Sequence, residues 1–512
     1  MDIQVDMFDV QLGAALLIQF RAGEQVVRVL ADAGTSMSGY PKEHVLEKLD
    51  QVLQRKEGER PPRIDLLIGT HYDADHLNRM VPVIDAYEIG EAWLPPVAND
   101  TDPPAEDWED LRASNLLGRQ FSGEDGAERL HRYLQEKAKV LAQAGQLRGR
   151  LTGVLEPITG NFRSRVLRES ILPDRYVPYD EETFNAALKS ACQFLEEPID
   201  HACRDVRLPL EHKHVLRTNN EFRSYRASSL VAPASAARSL AYIERSAAQD
   251  ALTAKSLKEV VDALERRKVP TRYEYVQDGR PSYFSWRKSE GRFRQVASAR
   301  KNQLTITLLG PSRSLIAKYW KRLPVGEYLQ FALMKALPVE GITPANELSY
   351  SMVFRCMDQR VLVSGDTGFV DFKPIESPAR DAGFYPEMIR QLAAPLQVVQ
   401  VAHHGGHNKY FYHALEAAQY PQGTGTSYLL LSHEVKGKSR PSRIFSMFLA
   451  RLGGKINKVR ILFTSEPRAD AVTDYRERAS PPVPKNQNSD RGDVRLLYAN
   501  KRWVVKKHAI LL

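Results

Sequence analysis

Cysteine is scarce in this chain, and the few cysteines lie far apart. The 512 residues include three cysteines, Cys192, Cys203 and Cys356, an odd number with no Cys-x-x-Cys spacing. A disulfide scaffold or a cysteine-ligated zinc site needs thiols in paired or close spacing, so the sequence indicates neither. We therefore expect a protein that works in a reducing compartment, the cytoplasm.

Long apolar runs are also missing from the sequence. No stretch of about 18 or more apolar residues is found, so no membrane-spanning helix is predicted. The first residues, 1–6, lack the basic and apolar regions of a secretion signal. With 512 residues, 43% of them hydrophobic, the chain exceeds one ordinary domain. We expect one large core with an insertion or a second domain, and no membrane partner.

The most informative segment is Thr70-His71-Tyr72-Asp73-Ala74-Asp75-His76, which places two imidazoles and two carboxylates within six residues. It follows the apolar run 64–69, which is short enough for a buried strand, and precedes a helical apolar spacing. Imidazole and carboxylate groups on a tight loop suit Zn, Mn or Fe. A helix cap would explain one aspartate but not both histidines. We therefore predict a metal site on a strand-to-helix loop.

This loop resembles the signature of the metallo-β-lactamase superfamily, His-x-His-x-Asp-His after a strand, with Asp73 at the second histidine position. That departure is similar to the hydrolase domain of ComEC-type DNA-uptake proteins and their freestanding relatives. Other segments resemble the superfamily in its order along the chain: 8–10, 14–19, 29–34, 308–311, 346–353, 361–366, 399–406 and 440–442. Each alone is a modest signal, but the shared order is a strong one.

The resemblance implies an α/β (α+β) fold, an αββα sandwich of two mixed sheets with helices outside. Residues 1–100 would form its N-terminal half and residues 241–512 its C-terminal half, with 101–240 as a mostly helical insertion. The insertion is a lid, a substrate platform, a docking surface for a partner protein, or a segment that only packs on the core.

The resemblance also implies two divalent metal ions, Zn or Mn, that activate water as the nucleophile. The implied ligands are His71 and Asp73 for one ion, Asp75, His76 and His403 for the other, and Asp366 as the bridge. The implied catalytic residues are Asp75, Asp366 and His404. Aspartate instead of histidine at position 73 adds oxygen and negative charge, which favours manganese.

Three further points concern these ligands. His403 and His404 are adjacent, and neighbours on an extended backbone point in opposite directions, so we assign the ligand role to His403 and pocket lining to His404. Asp366 lies in Ser-Gly-Asp-Thr-Gly, where a turn aspartate is the alternative. The superfamily's Gly-Gly after the first loop is Asn78-Arg79 here. A retired enzyme is therefore a second interpretation.

Positive charge is concentrated in residues 255–322, which hold 17 Lys and Arg against six Asp and Glu, whereas the whole chain has a net charge of +9. Aromatic residues lie among these cations at Tyr273, Tyr275, Tyr283, Phe284, Trp286 and Phe293. Such a mixture suits a phosphate backbone with stacked bases. A hairpin whose aromatics face the core is the alternative. We predict Arg287, Arg292 and Arg294 as substrate-binding residues, together with His407 from the later Gly-rich loop.

Three functions are compatible with these features, because a fold does not fix a substrate. The first is a phosphodiesterase or nuclease that cuts DNA or RNA. The second is a hydrolase of a small molecule such as a cyclic nucleotide, a phosphodiester or a lactone. The third is a non-catalytic or conditionally active subunit that binds partner proteins through 101–240, for instance in a bacterial defence system.

Overall fold

The structure is a computed structural model of the chain. It describes residues 2–22, 25–35, 40–55, 61–95, 256–257, 259–300, 302–319, 344–375, 383–432, 440–465 and 492–507. The chain divides into two compact units, one formed by Met1–Gly126, Thr253–Leu323 and Gly341–Leu512, the other by Ala127–Leu252 and Pro324–Glu340. All described residues belong to the first unit. The predicted helical insertion at 101–240 lies outside them.

The first sheet has eight strands in the order β16-β15-β1-β2-β3-β4-β5-β6. Five strands, from β16 to β3, pair antiparallel, and β3 to β6 pair parallel. The strands are β1 (Asp2–Met7), β2 (Leu16–Ala22), β3 (Gln25–Ala31), β4 (Ile64–Ile68), β5 (Ile89–Trp93), β6 (Thr271–Arg272), β15 (Val494–Ala499) and β16 (Arg502–Lys507).

The second sheet repeats this pattern with eight strands in the order β14-β13-β12-β11-β10-β9-β7-β8. Strands from β8 to β11 pair antiparallel, and β11 to β14 pair parallel. The strands are β7 (Ser282–Arg287), β8 (Arg292–Val296), β9 (Thr305–Gly310), β10 (Ser351–Cys356), β11 (Gln359–Val363), β12 (Val398–Gln400), β13 (Ser427–Leu431) and β14 (Val459–Phe463).

Short helices connect these strands. They are α1 (His44–Leu53), α2 (Ala74–Leu77), α3 (Met80–Ala86), α4 (259–266), α5 (Arg313–Tyr319), α6 (Pro344–Glu347), α7 (Pro386–Leu392), α8 (Lys409–Ala417) and α9 (Arg443–Arg451). In the part of the chain that the structure describes, 3-10 turns cover Val370–Phe372, Ala402–Gly405 and Gly453–Lys458. Within the described residues, no helix has both the length and the apolar character that crossing a bilayer requires.

Both sheets are buried on two faces, because successive side chains along a strand point to opposite sides. In β2, Leu16 and Ile18 join an apolar cluster that also contains residues of the second sheet, whereas Leu17 packs in a cluster with α1, α3 and α4. In β10, Met352 joins the shared cluster, and Val353 packs with α7, α8 and α9. The predicted mixed α+β class, with two large mixed sheets and several helices, is confirmed.

The central strands read as continuous apolar runs for the same reason. All five residues of β4 and all five of β13 are buried, which is typical of parallel strands covered on both faces. The carboxyl ends of β4, β11, β12 and β13 are followed by polar loops. These loops carry most of the residues that the sequence singled out as functional.

A buried ion pair joins α1 to the residue before β15. Lys48 Nζ lies 2.6 Å from Asp493 Oδ1, with both side chains 7% exposed, and Asp493 also accepts the Asp9 N–H at 2.7 Å.

Replacing Lys48 with methionine leaves a buried carboxylate without its cation, so we expect the free energy of unfolding to fall by about 2–3 kcal/mol. Urea unfolding measures this loss. The matched variant Lys42→Met, at an exposed position of the same segment, should change stability by less than about 0.5 kcal/mol; equal effects would contradict the prediction.

Candidate metal centre

The loop after β4 buries both of its histidines. His71 and His76 are 0% exposed, and Asp73 is 6% exposed. β4 ends at Ile68, and α2 begins at Ala74, with the His76 N–H donating to the Asp73 carbonyl at 3.0 Å. This turn places His71 and His76 on one side of the loop, where their ring centroids lie 3.9 Å apart.

Asp366 follows β11 and meets this loop from the second sheet. Its carboxylate is 4% exposed, and its backbone N–H donates to Ser349 Oγ at 3.2 Å. Gly365 precedes it with φ +50°, and a Cβ there would lie 2.5 Å from Thr70 Oγ1. Glycine is therefore required at 365, since both the left-handed backbone and the close approach of the two loops exclude a side chain.

His403 and His404 follow β12, and both lie against Asp366. The prediction that only one of them could reach the centre is wrong, because it assumed an extended backbone. Both residues have left-handed backbone angles, φ 52° and 54°, within the 3-10 turn Ala402–Gly405. This conformation turns both imidazoles to the same side of the chain.

Four imidazole Nε2 atoms surround the Asp366 carboxylate. His71 and His403 lie 3.8 and 3.6 Å from Oδ2. His76 and His404 lie 3.5 and 3.9 Å from Oδ1. These distances are too long for direct hydrogen bonds, but two ligand atoms bound tetrahedrally to one zinc ion lie about 3.4 Å apart. The spacing is therefore that of ligands around shared cations.

Hydrogen bonds fix the proton positions of two histidines. Asp32 is fully buried and accepts the Thr70 N–H at 2.6 Å, the Thr70 hydroxyl at 2.7 Å and His76 Nδ1 at 2.8 Å. Because the Thr70 hydroxyl donates to Asp32, its oxygen accepts from His71 Nδ1 at 3.2 Å. Both rings therefore carry a proton on Nδ1 and direct Nε2 at Asp366, the arrangement by which outer hydrogen bonds orient metal-bound histidines.

Asn408 fixes His403 in the same way. Its Nδ2 donates to the carbonyls of Asp366 and Thr367 at 2.7 Å each, so its Oδ1 is the acceptor for His403 Nδ1 at 3.0 Å. His403 therefore presents the lone pair of Nε2 to the centre. Asn408 is 0% exposed, and its network ties the loop after β11 to the loop after β12.

The ligand atoms fit a divalent cation. Among the described residues, the buried Nε2 atoms of His71, His76 and His404 have no hydrogen-bond partner. Asp75, His76 and His404 offer ligand atoms within 4.8 Å of one another, and so do His71, His76 and Asp366. Asp73 Oδ2 lies 3.9 Å from His71 Nε2. Buried imidazole nitrogens without partners that converge on carboxylates are the set of ligand atoms that Zn and Mn take.

The electrostatics of the centre favour a positive ion. Burial, together with nearby cationic groups, holds the pKa values of His71, His403 and His404 well below the ordinary range, so these imidazoles are neutral acceptors. Burial alone would lower the pKa of His76, but Asp32 and Asp366 outweigh it and raise it to about 10. Burial raises the pKa of Asp366 to about 6, against the effect of His76. A divalent cation would replace the proton that His76 carries at Nε2.

Asp75 and His404 form a ligand group that the sequence did not assign. The sequence placed His403 with Asp75 and His76, whereas the structure places His404 there. His403 lies on the Oδ2 side with His71. This supplies a further imidazole to the Oδ2 side, for which the sequence showed only His71 and Asp73.

The structure does not bring the predicted substrate-binding arginines to this centre. Arg287 and Arg292 are opposite each other in the strand register at the β7–β8 turn. In this turn the Gly291 carbonyl accepts a hydrogen bond from the Arg63 side chain at 3.0 Å. Arg63 precedes β4, whereas His71 follows it, so this turn lies at the opposite end of the strand, on the order of 20 Å away. Arg294, further along β8, pairs with Glu290 at 2.6 Å between Nε and Oε2. His407, by contrast, is half-buried and interacts electrostatically with His403.

Four aromatics of the basic segment face the core. Tyr273, Tyr275, Phe284 and Phe293 are at most 5% exposed and belong to the two apolar clusters of the first sheet. The alternative interpretation of this segment, a hairpin with core-facing aromatics, is confirmed for these residues. They are not available to stack on bases.

Among the residues of the centre, Asp32, Asn408 and Arg440 were not predicted from the sequence. Asp32 acts through a hydrogen bond to His76, 44 positions along the chain, Asn408 through one to His403, five positions before it, and Arg440 contacts His403. The signal that could have found Arg440 is its place in the Arg-Pro-Ser segment. No protein-family model matches the chain, and no curated protein matches it.

Proposed function

We propose that this protein is a metal-dependent hydrolase with the αββα arrangement of the metallo-β-lactamase superfamily, and that its substrates are phosphodiesters in DNA or RNA. The layer order is supported by three apolar clusters, one shared by the sheets and one on the outer face of each. The polar loops at the carboxyl ends of β4, β11 and β12 form the centre.

One observation carries this proposal: four imidazole Nε2 atoms surround a single buried carboxylate at 3.5–3.9 Å. Two divalent ions, Zn or Mn, would share Asp366, with the other ligands divided between its two oxygens: His71, Asp73 and His403 on one side, Asp75, His76 and His404 on the other. Bound ions of this kind polarise a phosphoryl oxygen and lower the pKa of water.

The protein's own residues orient this centre and select an anionic substrate. Asp32, Thr70 and Asn408 hold the imidazoles by their Nδ1 atoms. Arg440 is the cation next to Asp366 and His403. A guanidinium at a metal centre favours a phosphate group, because it can donate two parallel hydrogen bonds to its oxygens.

A second candidate is a hydrolase of small phosphodiesters such as cyclic nucleotides. Four buried aromatics (Tyr273, Tyr275, Phe284 and Phe293) and the remote turn at Arg287 and Arg292 favour it, because neither can hold a nucleic-acid strand at the centre. Salt separates the two candidates. Nucleic-acid binding weakens steeply with ionic strength, and binding of a small diester weakens little.

The test is metal-dependent hydrolysis by the full chain. The protein is treated with a chelator, dialysed, supplied with Mn²⁺ or Zn²⁺, and incubated with bis(4-nitrophenyl) phosphate, cyclic dinucleotides, RNA, and single- and double-stranded DNA. We expect at least one substrate to be cut only after metal is restored. Protein that binds metal and cuts none of these, or that cuts equally after chelation, contradicts the proposal.

A further inference from the structure

Arg440 occupies an unusual position for a cation beside a metal centre. Its Nη2 contacts Nε2 of His403 directly. His403 Nε2 in turn lies 3.6 Å from Asp366 Oδ2. The guanidinium therefore stands where an ion shared by His403 and Asp366 would lie.

The backbone fixes this position. Two residues after Arg440, the Ser442 N–H donates to the Gly405 carbonyl at 2.8 Å, and its hydroxyl donates to the Gly406 carbonyl at 2.9 Å. Ser442 is also the N-cap of α9 and accepts from the Phe445 N–H. The segment that carries Arg440 is thus tied to the loop that carries His403, so the contact follows from the fold.

The proton arrangement of His403 leaves a single lone pair on Nε2, which faces Arg440 directly and the Asn346 amide at 3.5 Å. Asn408 accepts from Nδ1, so Nε2 has one lone pair and no proton. A single imidazole lone pair serves one partner at a time, either an N–H donor or a metal ion. Two cations that near each other also repel, most strongly where water is excluded.

We propose that Arg440 and a divalent ion compete for Nε2 of His403, so that the centre has one tight metal site and one weak site. This inference rests on the proposed function and concerns its regulation. The tight site is formed by Asp75, His76 and His404, none of which contacts Arg440 by a hydrogen bond in the described structure. The weak site, at His71 and His403, is closed by Arg440 until the second ion displaces it.

Metal titration of the chelated protein tests this competition. Elemental analysis after dialysis against graded Mn²⁺ gives the stoichiometry, and isothermal titration gives the two affinities. We expect wild-type protein to bind one ion tightly and the second about 10–100-fold more weakly, the range that groups outside the metal's own ligands control. Arg440→Met, which keeps the aliphatic length and removes charge and donors, should tighten the second ion by a similar factor.

The first ion serves as the folding control, because its ligands are unchanged in Arg440→Met. Arg443→Ala, an exposed arginine in the first turn of α9, should leave both affinities as in the wild type. If Arg440→Met binds the second ion no more tightly than the wild type while the first ion binds normally, the competition is refuted and the proposed function stands. If neither protein binds any ion, both are refuted.

Discussion

Replacing Asp366 with asparagine is expected to lower the rate of hydrolysis by about a thousand-fold, which corresponds to roughly 4 kcal/mol of lost stabilisation. The two oxygens of this carboxylate each face two imidazole Nε2 atoms. An amide has almost the same shape but carries no charge and offers a single acceptor. It can neither neutralise nor join two cations, so metal content should fall together with the rate.

Steady-state kinetics and elemental analysis on the same preparation check this expectation. Asp371→Asn is the matched control, since Asp371 is a buried aspartate on the same segment whose pKa is raised by burial to about 7. Asp371 accepts the Ser312 N–H at 2.8 Å, away from the centre. We expect that variant to keep its metal and its rate. Asp75→Ala, which removes a ligand from the tight site, should behave like Asp366→Asn. If the Asp366→Asn protein kept its full metal content and its full rate, the assignment of Asp366 as a metal ligand would be wrong.

The second large effect is expected at Asp32, which no metal would touch. Asp32→Ala leaves three buried donors without their acceptor, the Thr70 N–H, the Thr70 hydroxyl and His76 Nδ1. Loss of a buried charge with several hydrogen bonds destabilises a fold by about 4–5 kcal/mol, and loss of the group that orients a histidine ligand lowers metal affinity about 10–100-fold. Urea unfolding in the presence of a chelator measures the loss of stability alone, because no metal is bound under these conditions.

Asp32→Asn separates the two roles of this carboxylate. Asparagine tolerates the left-handed backbone at this position, φ 62°, and its amide would keep one acceptor oxygen. We expect a smaller loss of stability than in Asp32→Ala but a comparable loss of metal affinity, because the amide cannot accept from both Thr70 and His76. Asp85→Ala, at an exposed pair with Arg266, should stay within about 0.5 kcal/mol of the parent. Asp32→Ala protein as stable as Asp85→Ala would contradict the role assigned to Asp32.

The parts of the centre that the sequence predicted are those whose geometry is local. His71 and His76 lie five positions apart on one turn, so their proximity follows from a short loop between a strand and a helix. Asp366 follows a buried apolar strand, and its place in the superfamily's order of segments, not its turn, indicated a site. The two large mixed sheets were expected from the resemblance to the superfamily, and β4 was expected from the apolar run 64–69.

The parts that the sequence did not predict depend on contacts between distant positions. Asp32 and His76 are 44 positions apart, and nothing local to either indicates their hydrogen bond. The paired left-handed angles at His403 and His404 contradict the preference of most side chains for negative φ, so an extended backbone was the natural assumption. The positive charge along 255–322 was visible in the sequence. The end of the sheet at which this charge lies was not, because strand register and strand direction determine it.

The two sheets contribute opposite halves of one centre. His71 and His76 come from the first sheet, and Asp366, His403 and His404 come from the second, hundreds of positions later in the chain. Ions bound between them would fasten the sheets together as a covalent cross-link does, and a ligand present at a hundred times its dissociation constant adds about 2.7 kcal/mol to folding. In a metal-starved cell such a protein would lose folding stability as well as catalytic rate, because the same ions would hold the two sheets together and activate water.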